Sequence, residues 1–278
     1  MVINSVNTNP GALIALQTLN KTNQELAQVQ KRVSTGYQVA DASDNGAAFA
    51  VAQGIRSNVA AISAVNQQLS GGLGVLGVAL EGTTAISNTL IKVRETLTKL
   101  ADGNLSTAQR SQYNADLNRL RGEVFNFRNN AVFNSVTLIG SGATNRQVVS
   151  NAYGEQYTIK ARAIQTSSIG AALGASGTAI GRASAAGLLS ANGSLTKFQN
   201  SVLSGLNELG GDLRRVKNQI NFNEAMKKAS EEALGFIVDA DLAKDSARLQ
   251  ALQIKQQLGA QALGVANQAP QILLGLFR

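Results

Sequence analysis

Apolar residues recur at helical spacing over most of this chain, and its two ends carry the most regular version of that pattern. Between residues 11 and 33, Ala12, Leu19, Leu26 and Val33 stand seven apart, with Ala15, Thr22 and Val29 in the second seam position. This repeat predicts an amphipathic helix whose narrow apolar stripe packs on another helix. The other faces are mostly uncharged and polar (Gln17, Asn20, Gln24, Gln28, Gln30), and Ser34-Thr35-Gly36 offers a glycine C-cap. The far end mirrors it. One seam holds Leu242, Leu249 and Leu263, interrupted by Gln256, and a second holds Val238, Leu252 and Ala266. Asp239, Asp241 and Asp245 lie where carboxylates favour a helix N-terminus. Pro270 is expected to end the pattern before an apolar tail, Ile272-Leu273-Leu274-Gly275-Leu276-Phe277. Neither end has a bulky core, so each is expected to pair with the other and with neighbouring copies. In dilute monomer both are expected to be largely disordered, ordering on assembly.

Residues 43–100 predict one long helix, or two in line, marked by Phe49, Ile55, Ile62, Leu69, Leu76, Ile86, Leu90, Val93, Leu97 and Leu100. If continuous, it runs about 85 Å at 1.5 Å per residue. Asp102-Gly103-Asn104 reads as a break, and Ser106 as the N-cap of a helix reaching about Asn129. The period then changes. Val136–Ile139, Gln147–Val149 and Gln156–Ala161 have strand character, the last with clean alternation. The Gly-, Ala- and Ser-rich stretch 166–193 reads as loop, and a helical pattern resumes near Leu195 and runs to Leu234. The fold class expected is mainly α: an elongated rod of long antiparallel helices, paired terminal coiled-coil helices and a small β-hairpin region.

Composition narrows the chemistry. There is no Cys, so neither disulfides nor thiolate metal sites can form, and no His, which removes the usual general base and the commonest metal ligand. Aromatics make up 4% of the chain and there are two prolines, which suits long helices in close contact through small side chains. The net charge of +8 raises acidic polymers as partners. Its cations are interspersed with carboxylates, as on solvated helix faces, so nucleic acid is not expected. No signal peptide is expected at the N-terminus, and no segment is expected to approach a membrane span.

Two motifs point nowhere. Gly72-Leu73-Gly74-Val75-Leu76-Gly77 matches the dinucleotide-binding glycine pattern, but follows a helical stretch instead of a strand. Close approach of another helix is the better reading. The Asp239–Asp245 run lacks the glycine and terminal glutamate of a calcium loop, so capping is expected. No catalytic site, cofactor or metal is expected.

Other stretches carry a resemblance. Ile3-Asn4-Ser5-Val6-Asn7-Thr8-Asn9, Gln30-Lys31-Arg32-Val33-Ser34-Thr35-Gly36 and Ala42-Ser43-Asp44-Asn45-Gly46-Ala47 at one end resemble the bacterial flagellin family. So do Val238-Asp239-Ala240-Asp241-Leu242-Ala243, Ala266-Asn267-Gln268-Ala269-Pro270-Gln271 and Leu274-Gly275-Leu276-Phe277-Arg278 at the other. Val132-Phe133-Asn134-Ser135-Val136-Thr137-Leu138 fits as well, with Ser135 where Gly is usual. The resemblance covers residues 1–140 and 195–278, and implies a short flagellin without large outer domains.

The resemblance implies a non-enzymatic subunit that polymerises into the flagellar filament, secreted to the cell exterior. Residues 1–40 and 238–278 would form an inner-core domain lining the export channel. Residues 41–237 would form an outer-core domain, with helices over about 43–129 and 195–234 and a β and variable region over 131–193. The expected self-assembly residues are Leu16, Leu19, Leu26, Val29, Val33, Leu242, Leu249, Leu252, Leu263, Leu274 and Phe277. The implied partners are further copies of the chain, the flagellar cap, hook-filament junction proteins, the type III export apparatus and an export chaperone at the C-terminus. The segment matching the family's immune-receptor contact is Lys92-Val93-Arg94-Glu95-Thr96-Leu97, where Lys92 and Thr96 replace Arg and Leu, so weak receptor activation is expected. Two alternatives stand beside this reading. One is a hook-filament junction protein. The other is a surface protein binding acidic polysaccharide through Arg146, Lys160 and Arg162.

Overall fold

The computed structural model describes residues 8–174 and 177–276; for Thr166 and residues 269–276 it describes the backbone. The described residues form seven helices and one hairpin: α1 (Pro10–Thr35), α2 (Gly46–Leu100), α3 (Thr107–Asn130), β1 (Arg146–Val149), β2 (Gln156–Ile159), α4 (Thr166–Leu173), α5 (Arg182–Leu189), α6 (Ser194–Val238) and α7 (Leu242–Leu276). The fold is mainly α, with one two-stranded antiparallel sheet. Two compact units divide the chain. Unit 1 comprises residues 1–59 and 228–278, and unit 2 comprises residues 60–227.

Local chemistry explains the helix ends. Asn9 caps α1 by accepting from the Ala12 N–H at 3.1 Å, with Pro10 at the first turn, where its missing N–H costs nothing. Gly36, at φ 74°, closes the other end and donates to the Arg32 carbonyl at 2.8 Å. Ser106 and Gln109 form a reciprocal capping box on α3. In the α2–α3 turn, Arg110 ties down the Leu100 and Asp102 carbonyls at 2.8 and 3.1 Å.

Unit 2 holds the large core. From α2, Leu69, Leu76, Ile86, Leu90, Val93, Leu97 and Leu100 meet Leu117, Leu120 and Val124 of α3 and Leu195, Val202, Leu209 and Val216 of α6. Polar contacts set α2 antiparallel to α6, Asn66 opposite Asn223 and Leu90 opposite Gln199. The hairpin pairs Arg146 with Ile159 and Val149 with Gln156. It rests on α6 through three contacts. Tyr157 hydrogen-bonds Asp212, Arg215 lies 4.1 Å from the Tyr157 ring, and the Gln219 and Asn223 amides both donate to the Ser150 carbonyl at 3.1 Å. Burial, then the bond to Asp212, push the Tyr157 phenol up to about 12.

The structure departs from the sequence reading in five places. Residues 136–139 form no strand: Asn134 and Ser135 both take positive φ (49° and 62°), making a tight turn closed by a Phe133–Val136 bridge. Leu138 and Ile139 are buried, and their carbonyls accept from the Arg162 and Ile164 N–H groups at 2.7 and 3.0 Å.

Residues 166–193 are not simply loop. They hold α4 and α5, which bury Ile169, Ala172, Leu173 and Ala185. Two α3 side chains fourteen residues apart hold this stretch and the residues just before it. Asn114 bonds the Ile180 N–H at 2.7 Å, and Arg128 donates to the Ile164 carbonyl at 2.6 Å. Helix α7 does not end at Pro270 but continues to Leu276.

The glycine motif lies inside α2, and what packs on two of its glycines is not a helix. A Cβ on Gly72 would meet Val148 of the hairpin at 3.3 Å, and one on Gly74 would fall 2.7 Å from the Phe133 ring. Finally, α2 is long and apolar enough to cross a membrane by length and composition, with a mean hydropathy of 1.3 over an 18-residue window. Its run of Ala, Gly, Leu, Ile and Val also supplies the central wall of the unit 2 core, and a core helix of a soluble protein passes the same test.

Candidate self-assembly site

In unit 1, α1 and α7 pack antiparallel along one another. Asn9 Nδ2 donates to the Ala266 carbonyl at 2.7 Å, a Cβ on Gly259 would lie 3.3 Å from Leu19, and Gln256 donates to Asn23 at 2.8 Å. Arg248 and Glu25 stand 3.6 Å apart. The buried heart of this seam is Leu26, Val29 and Leu252, with Val33 and Leu249 packed against it. Leu19 and Leu263 are half-buried along the same seam, whereas Leu16 (43%) and Leu242 (48%) are exposed. The Leu274 side chain and Phe277 lie outside the described residues.

A second cluster holds the turn after α1 to the break between α6 and α7. The Val238 carbonyl accepts from Gln38 at 2.7 Å and Val39 at 3.4 Å, and Ala240 donates to Gly36 at 2.9 Å. Val39, Ala52 and Val238 are buried beneath this contact. Asp241 caps α7 by accepting from Lys244 N–H at 3.0 Å. Lys31 reaches from α1 to Asp41 at 2.6 Å and to both Asp44 oxygens at 2.9 and 3.0 Å. Asp44 Oδ2 in turn accepts from the Ala40 and Asp41 N–H groups. The hydrogen bonds from Lys31 hold both carboxyls below their ordinary value, and the two carboxylates raise Lys31 above its own.

Leu13 (62%), Ile14 (64%), Ile254 (58%), Leu258 (57%) and Val265 (67%) are exposed on these two helices. Sequence reasoning passed over them because they fall outside the seven-residue repeat. Their signal was simply being large and apolar on helices with one partner. Phe236 in unit 1 is 92% exposed.

The same chain matches two family profiles. Residues 6–144 match the bacterial flagellin N-terminal helical region, and residues 193–277 match the C-terminal helical region. It is 36% identical to flagellin FljM of Caulobacter vibrioides over 278 residues, all of both chains. The chain belongs to the bacterial flagellin family. Flagellin of Brucella melitensis is 31% identical over 282 residues, covering 99% of each chain. A putative flagellar hook-associated protein from Vibrio parahaemolyticus superposes with a TM-score of 0.57, covering 70% of this chain and 99% of that one. At 16% identity that likeness concerns the fold alone.

As a flagellin, the chain is a structural subunit that polymerises into the bacterial flagellar filament, the helical propeller of swimming motility. It works outside the cell in that role. Likeness to flagellins over the whole length favours this reading over a junction protein or a polysaccharide-binding surface protein.

The receptor-like segment lies on α2 in unit 2. Lys92 is exposed and Thr96 half-exposed. Glu95 pairs with Lys99 at 2.7 Å, which lowers the Glu95 carboxyl. Arg94 is exposed but engaged. Its guanidinium donates to Gln199 Oε1 at 2.8 and 3.1 Å and to Thr196 Oγ1 at 3.3 Å on α6.

Proposed function

We propose that residues 1–40 and 238–278 form the filament's inner core, lining the export channel, and that residues 41–237 form its outer core. One observation carries this reading: among the described residues, α1 and α7 bury three apolar side chains between them and leave Leu13, Ile14, Ile254, Leu258 and Val265 in solvent. So thin a seam is weak support for ordering two helices of 26 and 35 residues. Neighbouring copies supply the missing cover, and Leu16, Leu19, Leu26, Val29, Val33, Leu242, Leu249, Leu252, Leu263, Leu274 and Phe277 make the core contacts.

Replacing Ile254 and Leu258 together by Asp changes only side chains already exposed. Seeded elongation, followed by electron microscopy, is expected to stop while monomer circular dichroism stays unchanged. Normal elongation would refute the assignment.

The chain leaves the cell through the type III apparatus, guided by an export chaperone on its C-terminal segment, and adds beneath the flagellar cap beyond the hook-filament junction proteins. The Gln-rich, charge-poor polar faces of α1 and α7 make a wet channel wall that holds a passing chain weakly. Several inward Gln residues changed to Lys or Glu should therefore slow filament growth in cells.

Lys92, Arg94, Glu95 and Thr96 make a weak immune-receptor contact, because Lys92 and Thr96 depart from the family pattern and Arg94 is tied to α6. In a reporter-cell assay Gln199→Ala should raise the response by releasing Arg94. Full potency of the unaltered chain would contradict this reading.

A further inference from the structure

We propose that copies in the filament also meet through unit 2, where the hairpin tip around Tyr153 of one copy seats in a groove beside α6 of a neighbour. The inference rests on the filament-subunit reading. An open helical polymer needs two different, complementary surfaces on each subunit, since a self-complementary patch closes a dimer.

The tip is the projecting partner. Tyr153 is 86% exposed. It is nevertheless held in place: Asn151 Oδ1 accepts from the Tyr153 and Glu155 N–H groups at 3.0 and 3.1 Å, and Ser150 N–H closes the turn on Glu155 at 2.7 Å. The contacts to Tyr157 and Ser150 anchor the hairpin on α6. A large aromatic on a pre-ordered turn loses little freedom on docking, which is what makes such residues interface anchors.

The groove is the receiving partner. It encloses about 660 Å³ between residues 161–171 and α6, with Ile139, Phe198 and Val202 at its buried floor and Lys197 and Ser201 on its exposed rim. An aromatic ring suits the floor, and the exposed Glu155 beside Tyr153 complements Lys197.

The two surfaces cannot meet within one copy. Asn66 of α2 sits at the hairpin, through Asn223 and Ser150, whereas Thr83 of α2 lines the groove. Seventeen residues of helix separate them, about 25 Å at 1.5 Å per residue. Contacting copies should therefore be displaced by about that distance along α2.

The chain contains no cysteine, so introduced thiols report without background. Full-length Tyr153→Cys and Ser201→Cys chains are mixed, polymerised on wild-type seeds and oxidised. A disulfide-linked dimer is expected in the mixed filaments, absent from mixed monomers and from filaments of either variant alone. Mixed filaments without that dimer overturn the contact, as does a dimer from Tyr153→Cys chains alone, which would mean tip-to-tip pairing.

A second variant reads the contact without chemistry. Tyr153→Ala should raise the critical concentration for elongation about tenfold with unchanged circular dichroism. An unchanged critical concentration overturns the proposal. Glu155→Lys should weaken elongation, and adding Lys197→Glu should restore it. If the wild-type chain itself fails to elongate on seeds, the filament reading falls, a result distinct from failure of this contact.

Discussion

Unit 1, built from the two ends of the chain, and unit 2, built from its middle, both show apolar residues to solvent but bury very different numbers of them. Unit 2 buries eight large residues of α2 alone in a core shared with α3 and α6 and adds a hairpin and two short helices around them. Unit 1 buries Leu26, Val29 and Leu252 in its helix pair and leaves apolar residues uncovered on both helices. Charge divides the same way. Unit 2 has sixteen Lys and Arg against nine Asp and Glu, and unit 1 has nine against eight. Almost the whole positive balance therefore sits on the unit that needs no partner to fill its core. The nearly neutral unit, which shows apolar side chains to solvent, can approach copies of itself without charge repulsion. The difference teaches where folding ends and assembly begins.

Deleting residues 242–278 is the harshest way to break the comparison. Filaments should vanish entirely in electron microscopy, while cooperative unfolding of unit 2 survives in a thermal scan; loss of that transition would show that unit 2 depends on the ends. Single truncations sharpen it. Ile86→Ala should cost about 2–5 kcal/mol in denaturant unfolding, because Ile86 is fully buried among close-packed neighbours. Leu252→Ala should leave that transition nearly unmoved and instead raise the critical concentration for elongation. Equal effects on both readouts would erase the distinction.

Packing tolerance offers a finer test. A Cβ on Gly82 would lie 2.8 Å from the Ala131 Cβ, which cannot move without its backbone, whereas one on Gly77 meets nothing within 4 Å. Gly82→Ala should therefore destabilise by about 1–3 kcal/mol, and Gly77→Ala should stabilise by about 0.5–1 kcal/mol through helix propensity. Ser135, held at φ 62° in the turn after α3, should yield about 1 kcal/mol on change to Gly, read as a rise in Tm.

The smallest effect belongs to the Lys31 cluster of unit 1. The lowered Asp41 and Asp44 carboxyls stabilise fully above the ordinary carboxylate range and lose this as pH falls through their depressed folded values. Lys31, raised, contributes below its ordinary value and loses it as pH climbs through the folded one. In Lys31→Met, NMR titration should show both carboxyl midpoints moving up toward the ordinary range. Unmoved midpoints would mean that local N–H donors alone hold them.

Much of this was legible in the residues. Ala12, Ala15, Leu19, Thr22, Leu26, Val29 and Val33 trace the buried or half-buried stripe of α1, as their spacing requires. Ser106 caps α3 as expected, with Gln109 closing the box. What escaped depends on residues far away in sequence. Residues 166–193 have no period, because Gly, Ala and Ser give none. They become helical where Asn114 and Arg128 of α3 hold their flanks and unit 2 covers Ile169 and Leu173. Val136–Ile139 had strand composition, but the turn at Asn134-Ser135 set its backbone first. The glycine run of α2 predicts close approach of another helix, but Phe133 and the hairpin are what lie against it.

By itself the sequence determined the long helices, the caps at Gly36 and Ser106 and the two terminal seams, because these follow from spacing and from neighbours within a few residues. Only the tertiary structure decided which glycines accept a close partner, that Arg94 is tied down, and that Leu13, Ile254 and Tyr153 stay in solvent. The reason is physical. Periodicity says which residues share a face, but burial depends on what lies opposite that face, and the chain brings that from residues far along it.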